Sequence, residues 1–284
     1  MLLGLARRAR CGEAVIASIG EAGYATPIAH PPQAPVRALL SHGRKVATQT
    51  LALSVIAWAL LAWLALDMGH PLAQLTMPAS SAWRTANAVA VGCMWAVMMA
   101  AMMLPSALPM LVIFERLCAR NGEPARWRSF AAAYLLLWVA FSIAATIVQW
   151  LLQGRGWVDP MIVSTSAPLN AALLVIAGTY QFSPLKRICL ARCRTPMGFL
   201  LGEWRGGVRG AFVMGLRHGL FCIGCCWALM ALLFVGGVMN LAWIAALSIA
   251  VAIEKLAPRG ERLAAVLGLA LIAAGGWRFL SLAS

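Results

Sequence analysis

Apolar residues fill the chain in long blocks, broken at intervals by short polar or proline- and glycine-rich stretches. Seven blocks are long enough to read as helices that span a bilayer, at about 46–66, 87–114, 130–152, 169–187, 210–237, 240–256 and 262–280. The block pattern therefore predicts an all-α fold: a polytopic membrane helix bundle of about seven transmembrane helices. Residues 46–284 form one transmembrane domain in this reading. Residues 1–45 read as a poorly ordered cytoplasmic tail, with a proline-rich turn at Pro27, Pro31, Pro32 and Pro35 and a short surface helix at Ala14–Ile19.

Composition sharpens this picture. Of 284 residues, 62% are hydrophobic and only 11% charged, with a mean hydropathy of +0.82. No soluble globular domain has that balance. The net charge of +14 would otherwise suggest a nucleic-acid partner. Lys and Arg, however, concentrate in alternate loops: before the first block, then 115–129, then 186–209, then 255–262. That alternation is the topology signal of a membrane protein. It puts the N-terminus in the cytoplasm and the C-terminus in the periplasm of a multi-pass protein of a bacterial inner (cell) membrane. The lipid bilayer is the expected environment, and nucleic acid is excluded as a partner.

Two stretches carry candidate chemistry. The fifth block contains Arg217-His218-Gly219-Leu220-Phe221-Cys222-Ile223-Gly224-Cys225-Cys226. At 100° per residue, Met214, His218, Cys222 and Cys225 fall within roughly 80° of one helix face, with Cys226 just beyond. Soft sulfur ligands with an imidazole suit copper as Cu(I), or zinc. Gly215 and Gly219 are small residues four apart, which lets another helix approach closely. The second block holds Met94, Met98 and Met102 at i, i+4, i+8, with Met99 and Met103 in an adjacent stripe. A ladder of thioethers offers successive Cu(I) sites, and adaptable packing is the other reading of the same residues. Within this helix Pro105 and Pro109 leave the carbonyls of Ala101 and Pro105 without intrahelical partners.

A third pair, Cys189 and Cys193, follows the fourth block at i, i+4 and would sit at the cytoplasmic mouth as donor or acceptor. Tyr180, Gln181 and Glu254 are supporting polar groups, with Glu254–Lys255 equally readable as an interfacial pair. The third block reads as scaffold, and His70 as a solvated loop residue.

These motifs together, Met94-Trp95-x-x-Met98-Met99-x-x-Met102-Met103-x-Pro105, Tyr180-Gln181-x-Ser183-Pro184-x-Lys186-x-x-Cys189-x-x-x-Cys193-x-x-Pro196, Gly215-x-x-His218-Gly219-x-x-Cys222-x-Gly224-Cys225-Cys226-Trp227-x-Leu229-Met230, and Asn240 with Glu254-Lys255, resemble the domain-of-unknown-function 2182 family. The resemblance covers roughly Ala88–Gly276 and implies a metal-binding integral membrane protein.

The favoured function is soft-metal binding in transport, delivery or metalloprotein assembly, with a metallochaperone or metalloenzyme as partner. No phosphate-binding glycine-rich loop is present, so no nucleotide is expected and an enzymatic role is disfavoured. Thiol–disulfide electron transfer through Cys222/Cys225 and Cys189/Cys193 is a second reading. A structural subunit of a membrane complex, with Cys and Met as packing, is the third.

Overall fold

The computed structural model describes residues 36–78, 82–123 and 125–283. The proline-rich turn and the Ala14–Ile19 helix expected in the tail lie outside the described residues. Among the described residues the chain is helical, with one isolated β-bridge between Val158 and Ser164. The elements are α1 (Val36–Leu66), α2 (Pro71–Thr76), α3 (Thr85–Arg120), α4 (Arg126–Gly154), α5 (Ala167–Tyr180), α6 (Pro184–Arg194), α7 (Pro196–Glu203), α8 (Gly207–Ala231), α9 (Leu233–Gly236), α10 (Leu241–Leu256) and α11 (Gly260–Ala283).

Five helical stretches are long and apolar enough to cross a membrane: Gly43–Leu66, Thr85–Arg120, Arg126–Gly154, Gly207–Gly236 and Gly260–Ser281. The sequence pattern predicts seven. The two that differ are α5, with 14 residues, and α10, with 16. At 1.5 Å per residue they reach only about 21 and 24 Å, short of a hydrocarbon core of about 30 Å. The expected continuous fourth span is broken at 181–183. Ser183 accepts a hydrogen bond from the Leu185 amide, and Pro184 takes the first helical position of α6. A proline there starts a helix without cost, because the first amide has no intrahelical partner anyway. The loop histidine His70 has a local role: its Nδ1 accepts from the Leu72 amide and caps α2.

α3 lies at the centre, packed against α1 and α4, while α8 packs on α4 and α6, and α5 on α11. Both prolines sit inside an unbroken α3. The Ala101 carbonyl that Pro105 deprives of a partner accepts instead from Ser54 Oγ at 3.0 Å and Trp58 Nε1 at 3.2 Å, both on α1. A buried carbonyl left unpaired would cost about 1–3 kcal/mol, so α1 is the element that makes the proline tolerable. Trp95 of α3 donates to Gln149 Oε1 of α4 at 2.7 Å, which ties the second pair of helices.

Glycine sets two close approaches. A Cβ at Gly215 would lie on the Phe130 carbonyl of α4, so α8 sits backbone to backbone on that helix. Gly178 of α5 and Gly268 of α11 stand against each other in the same way.

Candidate metal centre

The cysteine face of α8 points into the protein. His218, Cys222, Cys225 and Cys226 are all buried, with His218 only 3% exposed. Gly215 is what allows this burial, because α4 can then cover the start of α8 closely. His218 is ringed by Phe130, Tyr134 and Phe199, with ring centroids 5.8, 5.7 and 5.5 Å away, and its Nδ1 has no hydrogen-bond partner.

Cys222 is the most contacted thiol. Its Sγ lies 3.1 Å from the Tyr134 hydroxyl of α4 and 3.0 Å from Lys255 Nζ of α10. Lys255 also donates to Ser106 Oγ of α3 at 3.2 Å and stands 3.9 Å from Met103 Sδ. Cys225 and Cys226 each donate to the Cys222 carbonyl, at 3.1 and 3.0 Å. Such a bond back along the helix holds a thiol in its rotamer without using its lone pairs.

α6 brings the other two cysteines onto α8. Cys193 Sγ is 4.0 Å from Cys225 Sγ, and both are free thiols. Cys189 lies against Gly224, where a Cβ would leave no room for its sulfur. Burial pushes the Cys189 thiol up from its ordinary value. Tyr180 donates to the Gly224 carbonyl at 2.5 Å and so fixes α5 to the same turn of α8. Glu254 forms a buried ion pair with Lys186 of α6 at 2.7 Å, with Gln181 beside the carboxyl.

A cavity of about 210 Å³ adjoins the thiols. Cys193, His218, Cys222 and Lys255 line it together with Ser106, Met110, Arg194 and Pro196. Among the described residues no three His, Cys, Asp or Glu side chains converge as a ready-made metal-ligand set. What is preformed is a pair of facing thiols, with a third thiol and an imidazole on the same cavity.

The structure rearranges several expectations. Cys193 approaches Cys225 across two helices, a contact that the along-helix spacings Cys189/Cys193 and Cys222/Cys225 do not reveal. Glu254 and Lys255 do not pair with each other; they reach opposite neighbours. Met94, Met98 and Met102 are buried in the core of α3. The same core cluster holds Cys189, Cys222, Cys225 and Cys226, while Met103, from the second stripe, stands beside Lys255 and Met110 lines the cavity. α4, read as scaffold, supplies Tyr134. The position of Tyr134 four residues after Phe130 carried no signal of its own; Lys255 carried one only through its place beside Glu254.

Among the described residues the protein is all-helical, with five helices long and apolar enough to cross a membrane and a buried cluster of thiols. The family comparison makes this specific: the model of the PpoB2 copper chaperone family matches residues 92–278, about two thirds of the chain. The chain belongs to that family. Its matched region includes every thiol and polar group of the cluster described above. No curated protein and no solved structure matches.

Proposed function

We propose that this protein is a copper chaperone of the bacterial cell membrane that carries Cu(I) on the thiols of α6 and α8. The observation that carries the reading is the 4.0 Å separation of Cys193 and Cys225 across two helices. Two thiolates that share one ion at about 2.3 Å each stand about 4 Å apart when the angle at the ion is near 120°. Thiolates and thioethers select Cu(I) over harder ions. Cys222 is the natural third ligand, since it neighbours both thiols. His218 and Met110, on the same cavity, supply further positions for a migrating ion.

The basic residues support an orientation. Arg194 lines the cavity, and it belongs with Arg187, Arg192, Arg205 and Arg209 to a basic stretch of the chain that is cytoplasmic by the distribution of positive charge. Copper then enters or leaves from the cytoplasmic side by ligand exchange at Cys193, and a metallochaperone or a copper enzyme under assembly is the partner.

Protein purified in detergent from copper-supplemented cells and kept reduced should carry close to one equivalent of copper by plasma mass spectrometry. Protein without copper, both as isolated and after anaerobic loading with Cu(I), would overturn the reading. A thiol–disulfide role for the Cys193–Cys225 pair and a structural role with the thiols as packing would then remain, and labelling of those two thiols under oxidising and reducing conditions would separate them.

A further inference from the structure

α6 is an 11-residue helix that carries two of the thiols, and it is fastened to one neighbour at both ends. At its first turn Lys186, 1% exposed, donates to Glu254 Oε2 at 2.7 Å. At its last turn Arg194 donates to the Ala257 and Pro258 carbonyls at 2.8 and 2.9 Å. All three acceptors belong to the C-terminal turn of α10 and the residues that follow it. Glu254 is 1% exposed and Lys255 6%. The two are consecutive and so project about 100° apart on the helix. Lys255 reaches the other way, to Cys222 of α8 at 3.0 Å and Ser106 of α3 at 3.2 Å. One helical turn thus touches both elements that carry thiols.

We infer that the last turn of α10 is a clamp that sets the spacing between the thiols of α6 and α8, with Glu254 holding α6 through Lys186 while Lys255 holds α8 through Cys222. Glu254 is a positioning residue and not a metal ligand. Its carboxylate is engaged with the Lys186 ammonium, and it acts on copper only through where Cys193 stands. This use explains why an ion pair is buried here, in a bundle where two apolar residues would pack without the need to desolvate charge. Electrostatic pairing has one correct partner, so it adds a defined register to a short helix whose main packing is against α8.

The inference rests on the copper reading for its purpose but not for its geometry, so two readouts are taken on full-length protein in detergent. The first is the yield of crosslink between Cys193 and Cys225 with a short bifunctional thiol reagent, read by mass spectrometry of the linked peptides. The second is Cu(I) affinity by competition with a chromophoric chelator. Glu254→Gln should lower the crosslink yield severalfold and weaken Cu(I) binding about ten-fold, the size seen when a partner that orients a ligand is lost. The charge-swapped pair Lys186→Glu/Glu254→Lys should restore both towards the unmodified protein, a rescue that a general loss of stability does not predict. Arg194→Gln, at the other end of α6, should lower the crosslink yield in the same direction. Trp95→Phe, which breaks the distant Trp95–Gln149 bond, should leave the yield unchanged.

Unchanged crosslinking in Glu254→Gln and Arg194→Gln would overturn the clamp while leaving copper binding intact. A lowered crosslink yield in Glu254→Gln that the swap restores, in protein that binds no Cu(I) at all, would establish the clamp and remove the copper reading. A swapped protein that is folded and crosslinks no better than Glu254→Gln would also overturn the clamp.

Discussion

Cys222→Ser/Cys225→Ser should lose tight Cu(I) binding altogether while keeping its fold. Removing an outer partner of a metal ligand costs roughly 10–100-fold in affinity, and removing two ligands costs more than that. Cys225 is half of the facing thiol pair, and Cys222 is the third thiol on the same cavity. A serine hydroxyl is smaller and harder than a thiolate and does not replace it for Cu(I). The fold should survive because Ser can still donate along the helix to the residue 222 carbonyl, as the Cys225 thiol does now. Chelator competition on the purified variant gives the affinity, and its melting temperature checks the fold. Copper bound as tightly as in the unmodified protein would place the ion elsewhere.

The second large effect is structural. Gly215→Leu should destabilise the protein by about 3 kcal/mol or more, at the upper end of what overpacking costs, because the new side chain has to displace backbone. The first side-chain atom alone would lie on the Phe130 carbonyl of α4. α8 would have to move off α4, and His218, one turn further on, would lose its contact with the Phe130 and Tyr134 rings. Thermal unfolding in detergent, or the yield of monodisperse protein, measures the effect. Stability equal to that of the unmodified protein would mean that α4 and α8 are not in backbone contact at this position.

What the sequence makes legible is what lies along one helix. His218, Cys222 and Cys225 share a face because of their spacing alone, and that face is the buried one. The orphaned carbonyl of Ala101 follows from Pro105 by the same local logic, and its rescue by another helix is a general expectation in a membrane; only the identities Ser54 and Trp58 had to come from the structure. Contacts between helices are a different matter, because periodicity gives a face and not a rotation or a register. Which stripe stands beside Lys255 depends on how α3 is turned, and both stripes look alike in sequence. The meeting of Cys193 with Cys225 depends on α6 being a separate helix. The Ser183-Pro184 pair does mark that start, but the apolar run through it reads as one continuous span. Lys255 was hidden by its neighbour: Glu254-Lys255 suggests a local pair, and only packing reveals that the two side chains leave α10 in different directions.

X-ray absorption at the copper edge of the Cu(I)-loaded protein tests the central claim most directly. The account predicts a shell of two or three sulfurs at about 2.2–2.3 Å, close to the metal–thiolate distance known for zinc, with one sulfur lost in Cys193→Ser. A first shell made of nitrogen or oxygen, or a sulfur shell that Cys193→Ser leaves unchanged, would contradict it.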